Sequence, residues 1–383
     1  MAKRKNDVGG EETNKKPRTT GDIDLQQASL FFRRFPQEIR DNIYRAVFES
    51  TRLRSATEYY LKKKPALNSL ALLRTCRRVK MEIGTAWLGW VRFYFEDTEA
   101  LLDKLTPLPI NTLSQLRRVT VSGETLHLVH PGLISQFRLV SVLKLLPGLR
   151  LDELTVIGGP DYRVCYDALN GLIDQGSGWK VLRYITFASE MLGLPENQHG
   201  DNYYNYYRDA QPSHWQAMLE NRDGILSRPS VTIYRATQPA QHGKILDPTK
   251  RVKYEQKPFV NSEEFLRDFF LMADGERNKE MMVVVKRGAG VDYEEKGEPA
   301  LRYGDIYEGM EEKTWEFVRR TCLDFSDDED DDYPFSDEED DDYSSSDEED
   351  DTPYEARDLI QYDTYRDADE YVWHWFWFYF NQE

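Results

Sequence analysis

The chain has 383 residues, 40% of them apolar and 31% charged, with a formal net charge of −18. That length holds two ordinary domains or one larger domain with tails, and no uninterrupted apolar run reaches the roughly 18–20 residues a membrane span needs. The polar N-terminus lacks an apolar h-region, so a secretory signal is not expected; three widely spaced cysteines, Cys76, Cys165 and Cys322, argue against a disulfide scaffold or Cys-rich zinc site and fit a reducing compartment.

In chain order, residues 1–28 are polar, without apolar period, and are expected to be a disordered basic tail. Apolar periodicity begins near Leu30. Pro36 suits a first helical turn, and Ile39, Ile43 and Val47 at i, i+4, i+8 form one stripe of an amphipathic helix. After a basic connection ending at Pro65, Leu72, Cys76, Val79 and Ile83 mark a second amphipathic helix. Val91 to Phe95 reads as a strand and Glu99 to Leu105 as a helix. Then Leu-x-x-apolar-Thr-apolar recurs, at Leu116 to Val121, Leu151 to Val156 and Leu182 to Phe187, with spacings of 35 and 31 residues. Helical patterns over Ser135–Leu146 and Tyr162–Asp174 fill the gaps. This is βαβ spacing, which favours a mostly parallel sheet with right-handed crossovers; an irregular leucine-rich-like repeat is the alternative.

Glu196 to Pro212 reads as a tyrosine-rich loop, His214–Leu226 as a helix and Val231–Tyr234 as a strand. Residues 237–258 read as irregular, Glu263–Met272 as a helix, Met281–Val285 as a strand and Glu311–Leu323 as a helix. Between Asp324 and Asp351 lie 18 acidic residues and no basic one, so the rest of the chain, with 50 of each sign, is neutral. The run repeats every ten residues and is expected to be extended and disordered by self-repulsion. Asp367–Phe380 reads as a very aromatic helix that packs on the body or anchors a partner.

Two basic clusters, Lys3-Arg4 and Lys15-Lys16-Pro17-Arg18, have the spacing of a bipartite nuclear import signal read by an import receptor. Ser326, Ser336 and Ser346 each have a glutamate at +3 (Glu329, Glu339, Glu349), the acceptor pattern of a casein kinase II-type enzyme. Phosphorylation there would add about −1.5 to −2 per site. The acidic segment suits a basic nuclear protein, such as a histone or ribosomal protein, or the chain's own basic surface, and would repel nucleic-acid phosphates. Six scattered histidines show no metal spacing, and no phosphate-cradling or nucleophile motif is present. The expectation is a binding protein, not an enzyme, with no cofactor and no metal.

Phe35-Pro-Gln-Glu-Ile-Arg-Asp-Asn-Ile-Tyr44 followed by Leu72-Leu-Arg-Thr-Cys-Arg-Arg-Val-Lys-Met-Glu-Ile83 resembles a fungal F-box-like family with the pattern "LPxEIRxxIY … LLRTCRxIxxEI". The resemblance covers about 60 residues. It implies a helical module that docks on the Skp adaptor of a cullin-RING ubiquitin ligase, with Pro36, Ile39, Ile43, Leu72, Leu73 and Cys76 at or beneath the docking face. Without that resemblance, the same helix pair would cap the first strand of the body. The expected layout is α/β (α+β as alternative): a tail at 1–28, an F-box-like helical module at 29–90 and an α/β body at 91–323. An acidic segment at 324–356 and an aromatic C-terminal helix at 357–383 follow. The functional expectation is a nuclear F-box-like adaptor, soluble in nucleus or cytoplasm; the alternative is an acidic chaperone-like binder of basic nuclear proteins.

Overall fold

The computed structural model describes residues 29–55, 70–130, 133–159, 161–192, 211–236 and 278–323, together with the backbone of 370–372. The N-terminal tail, most of the 196–212 loop, residues 237–258, the helix expected at Glu263–Met272 and the acidic segment lie outside the described residues. The described chain is an α/β protein built on a mixed, mostly parallel sheet.

Two helices, α1 (Leu30–Arg34) and α2 (Gln37–Glu49), lead into strand β1 (Arg52–Ser55). Helices α3 (Ala71–Thr75), α4 (Arg77–Ile83) and α5 (Trp87–Trp90) connect it to β2 (Arg92–Phe95). Helices α6 (Thr98–Leu105) and α7 (Ile110–Leu113) then lead to β3 (Arg118–Ser122). A hairpin of β4 (Leu126–His130) and β5 (Leu133–Phe137), then α8 (Leu139–Leu143), lead to β6 (Leu151–Ile157). Helix α9 (Tyr162–Asp174) crosses to β7 (Trp179–Thr186). Helix α10 (Ser213–Asp223), β8 (Ser230–Arg235), β9 (Met281–Lys286) and α11 (Trp315–Cys322) complete the body.

Seven strands form the sheet in the order β1-β2-β3-β6-β7-β9-β8, and a three-residue strand β10 (Glu370–Val372) lies parallel beside β1. Strands β1, β2, β3, β6 and β7 are parallel and advance one neighbour at a time; β9 runs antiparallel to β7 and β8. Right-handed crossovers that always advance in the same direction lay their helices on one face. The main core fills that face, with Phe93, Val119, Leu154 and Leu182 of adjacent strands meeting Leu101, Leu105, Leu169 and Leu172 of the helices. A smaller cluster of Ile157, Ile185, Met282 and Val284 occupies the other face.

The helices begin where polar side chains can cap them. Asp97 accepts from the Ala100 N–H at 2.5 Å, Asp161 from those of Arg163 (2.7 Å) and Val164 (3.4 Å), and Thr314 from that of Phe317 (3.3 Å). Helix α10 stops at Gly224, whose φ of +84° suits a residue without Cβ.

Several expectations are corrected. The second amphipathic helix is broken: Cys76 is extended (φ −158°, ψ 158°) and its thiol caps α4 by accepting from the Val79 N–H at 3.4 Å. The helix expected over Ser135–Leu146 begins only at Leu139, because Leu133–Phe137 pair with β4. The helix expected at Asp367–Phe380 has strand, not helix, at its described residues 370–372. There the open edge of β1 offers a backbone ladder to an aromatic and β-branched segment. The third copy of the Leu-x-x-apolar-Thr-apolar signature is out of phase. Val119, Leu154 and Leu182 are in register, whereas matching the signatures would set Ile185 beside Leu154. That three-residue shift is odd and would exchange the two faces of β7, driving Arg183 into the main core.

Candidate functional site

Helix α2 carries the candidate docking face. Its apolar positions Ile39, Ile43 and Val47 are expected to bury, yet the buried row is Arg40, Tyr44 and Phe48, one residue further on. The stripe instead faces solvent: Phe35 is 42% exposed, Ile39 44%, Ile43 37% and Val47 41%. A step of one residue turns a helix by about 100°, so the two rows look in different directions. Aromatic volume decides between them. Phe48 packs 6.3 Å from both Trp87 and Trp90, and Tyr44 lies 6.1 Å from Phe31.

The charged member of the buried row is held by Glu82 of α4. Arg40 donates from Nε (3.0 Å) and Nη2 (2.7 Å) to the two oxygens of Glu82, and from Nη1 to the Phe35 carbonyl at 2.6 Å. The Gln37 side chain also accepts from Arg40. Tyr44 and Arg78 each donate to Glu82 as well, both at 2.9 Å. Phe32 covers the group, 4.3 Å from the Arg78 guanidinium and 5.4 Å from that of Arg40. Burial alone would raise the Glu82 carboxyl, but these hydrogen bonds hold it below its ordinary value. Burial, with the Glu82 charge, pushes the Tyr44 hydroxyl up.

The six sequence-derived residues therefore separate by depth. Pro36 is the N-cap of α2 and not a first-turn residue, and it is exposed with Ile39 and Ile43. Leu73 lies in the core, while Leu72 and Cys76 are half-buried at the α3–α4 break. The buried residues of this helix set belong to the same continuous core as the sheet. Lys3, Arg4, Lys15, Lys16 and Arg18 of the import signal, and Ser326, Ser336 and Ser346, lie outside the described residues.

Sequence reasoning missed the Arg40–Glu82–Tyr44 cluster. Its signal is the 3.6-residue period of Arg40, Tyr44 and Phe48, which an arginine at the first position disguises. Also missed is a charged cleft at the carboxyl ends of β3 and β6, lined in part by Asp161 and Arg163 at the start of α9. At Gly158 a Cβ would lie 2.8 Å from the Cys165 Sγ, so the turn from β6 into α9 needs glycine there. Burial pushes the Cys165 thiol up to about 12. Among the described residues no group of three or more His, Cys, Asp or Glu could hold a metal ion, and no helix is long and apolar enough to cross a membrane.

Fold and site together define an α/β protein with a mostly parallel mixed sheet and an exposed apolar row on its N-terminal helix. No protein-family model matches the chain, and no curated protein matches it significantly in sequence.

Proposed function

We propose that this chain is a nuclear F-box-like interaction adaptor that presents α2 to the Skp adaptor of a cullin-RING ubiquitin ligase and holds a client on its α/β body. The observation that carries the reading is the exposed row Ile39, Ile43 and Val47, with Phe35 just before it, on a helix whose neighbouring buried row is pinned by Arg40 and Glu82. Three large apolar side chains along one helix face, with Phe35 just before its N-cap, suit a helix-in-groove contact. The surrounding residues 29–55 and 70–90 carry ten Lys/Arg against four Asp/Glu, so an acidic partner surface complements them. The reading is of a binding protein and not an enzyme, and the N-terminal basic clusters support a nuclear address.

The test compares the intact chain, an Ile39→Asp/Ile43→Asp variant and a deletion of residues 324–351 for binding to purified Skp adaptor and to histones. The reading expects adaptor binding by the intact chain and the deletion, lost in the helix variant while its melting temperature is kept. Equal adaptor binding by all three, or by none, overturns it. Histone binding lost only in the deletion would favour the acidic chaperone-like alternative, for which the run of 18 acidic residues is the motivating observation.

A further inference from the structure

A cleft of about 480 Å³ opens beyond the carboxyl ends of β3 and β6, where α9 begins. The cleft has the volume of a small-molecule site. Its charged lining is Arg138, Asp161, Arg163, Asp167 and Arg302.

The two carboxylates are already engaged. Arg138 donates to Asp167 at 2.5 Å and lies 4.7 Å from the ring centre of Tyr303. Asp161 accepts the first N–H groups of α9. Glu124, which lies against Gly159, is outside the lining. Arg163 and Arg302 are exposed, and among the described residues neither guanidinium has a carboxylate partner.

The floor is rigid. The Tyr303 ring sits so close to α9 that a Cβ on Gly171 would meet it at 2.8 Å, and the Tyr303 carbonyl accepts from the Ser141 hydroxyl at 3.3 Å. The Arg302 N–H donates to the Gln175 side chain at 3.4 Å, tying its loop to the end of α9. Gln136 and Thr125 add neutral donors to the wall.

We propose that this cleft binds a phosphate monoester, with Arg163 and Arg302 as its two guanidinium ligands. Three arginines and two aspartates leave the lining one positive charge. Two guanidiniums without a carboxylate partner among the described residues suit the charge of about −1.5 to −2 on a phosphate monoester better than the single charge of a carboxylate. The planar guanidinium forks suit its three oxygens. The inference is independent of the adaptor reading, because the cleft shares no residue with α2.

The test is calorimetric titration of the full chain with N-acetyl-phosphoserine amide, N-acetyl-glutamate amide and inorganic phosphate. The phosphoserine probe is expected to bind, the glutamate probe at least tenfold more weakly. An Arg163→Gln/Arg302→Gln variant is expected to lose at least tenfold in phosphoserine affinity while keeping its melting temperature, since both side chains are exposed. No binding of the phosphoserine probe, equal affinity in the variant, or binding of inorganic phosphate alone overturns the proposal. Binding that appears only after deletion of residues 324–351 overturns it in favour of the chain's own acidic segment as occupant.

Discussion

Glu82 is the residue on which the N-terminal helices turn. Its carboxylate accepts from Arg40, Tyr44 and Arg78, and Arg40 is only 4% exposed. Removing one partner of a buried pair strands the other charge. Glu82→Ala is therefore expected to cost about 3–5 kcal/mol in chemical denaturation, whereas an Arg40→Met/Glu82→Leu double variant recovers most of that loss. If the single and double variants are equally unstable, the pair is not the cause. The depressed Glu82 value also sets a pH dependence. Its stabilisation is fully present above the ordinary carboxylate value of 4.5 and fades as pH falls through the lower folded-state value. Asp223 adds to the same acid limb. Burial would raise it, but hydrogen bonds from Arg287 (2.7 Å) and the Gly288 N–H (3.0 Å) hold it down. Denaturation midpoints taken from pH 6 to 3 are expected to fall, and Glu82→Gln to flatten part of the slope.

Helix α2 shows how an element divides its faces between stability and contact. Phe48→Ala, in the buried row, is expected to cost about 3–5 kcal/mol, while Ile39→Ser or Ile43→Ser should stay within about 0.5 kcal/mol. Urea midpoints decide between this arrangement and one in which the Ile stripe is buried. At the β6–α9 turn, Gly158→Ala is expected to cost about 1–3 kcal/mol by overpacking. Cys165→Ala should relieve it in part, since the Thr186 Cγ2 at 3.0 Å and Tyr184 Cε1 at 3.2 Å also crowd that Cβ. Strand β1 shows a different division. Arg52, Arg92 and Arg118 stand in register on three adjacent strands, with Glu153 next in the row. Like charges directly opposite one another destabilise a sheet, and acids on both sides offset it here. Arg92 pairs with Glu153 at 3.0 Å and Arg118 with Glu49 at 3.2 Å.

For the whole molecule, one core joins the N-terminal helices to the sheet, from Tyr44 and Phe48 to Val318 and Cys322. The end of α10 is locked to it by charge. Arg222 donates to the Ile173 carbonyl at 2.6 Å, and Arg222 and Arg287 each lie 5.5 Å from the Trp179 ring centre. Burial, with the nearby Arg287 charge, pulls Arg222 down to about 10. Such a core should open as a unit. Cys165, buried with its thiol pushed up to about 12, is expected to alkylate at pH 8 only as fast as the body unfolds, with half-buried Cys76 modified first. Mass spectrometry of partly alkylated protein checks the order; early labelling of Cys165 would show that the β6–α9 region opens separately.

Local patterns determined much of this architecture. Tyr162–Asp174 reads as a helix because Asp161 caps it and its apolar residues repeat every 3.6, and both signals are contained within the element. Strands β2, β3, β6 and β9 likewise announce themselves by apolar content and spacing. Other elements depended on neighbours distant in sequence. Arg52-Leu-Arg-Ser becomes a strand because β2 lies beside it, and β7 takes its register from the two faces it must fill. The cleft likewise gathers Arg138, Arg163 and Arg302 from three separate segments. The sequence alone marked α2 as amphipathic and Ile39 and Ile43 as its apolar stripe. Only tertiary packing decided that the stripe faces outward, because Glu82, 42 residues beyond Arg40, made it favourable to bury a charge and two rings instead.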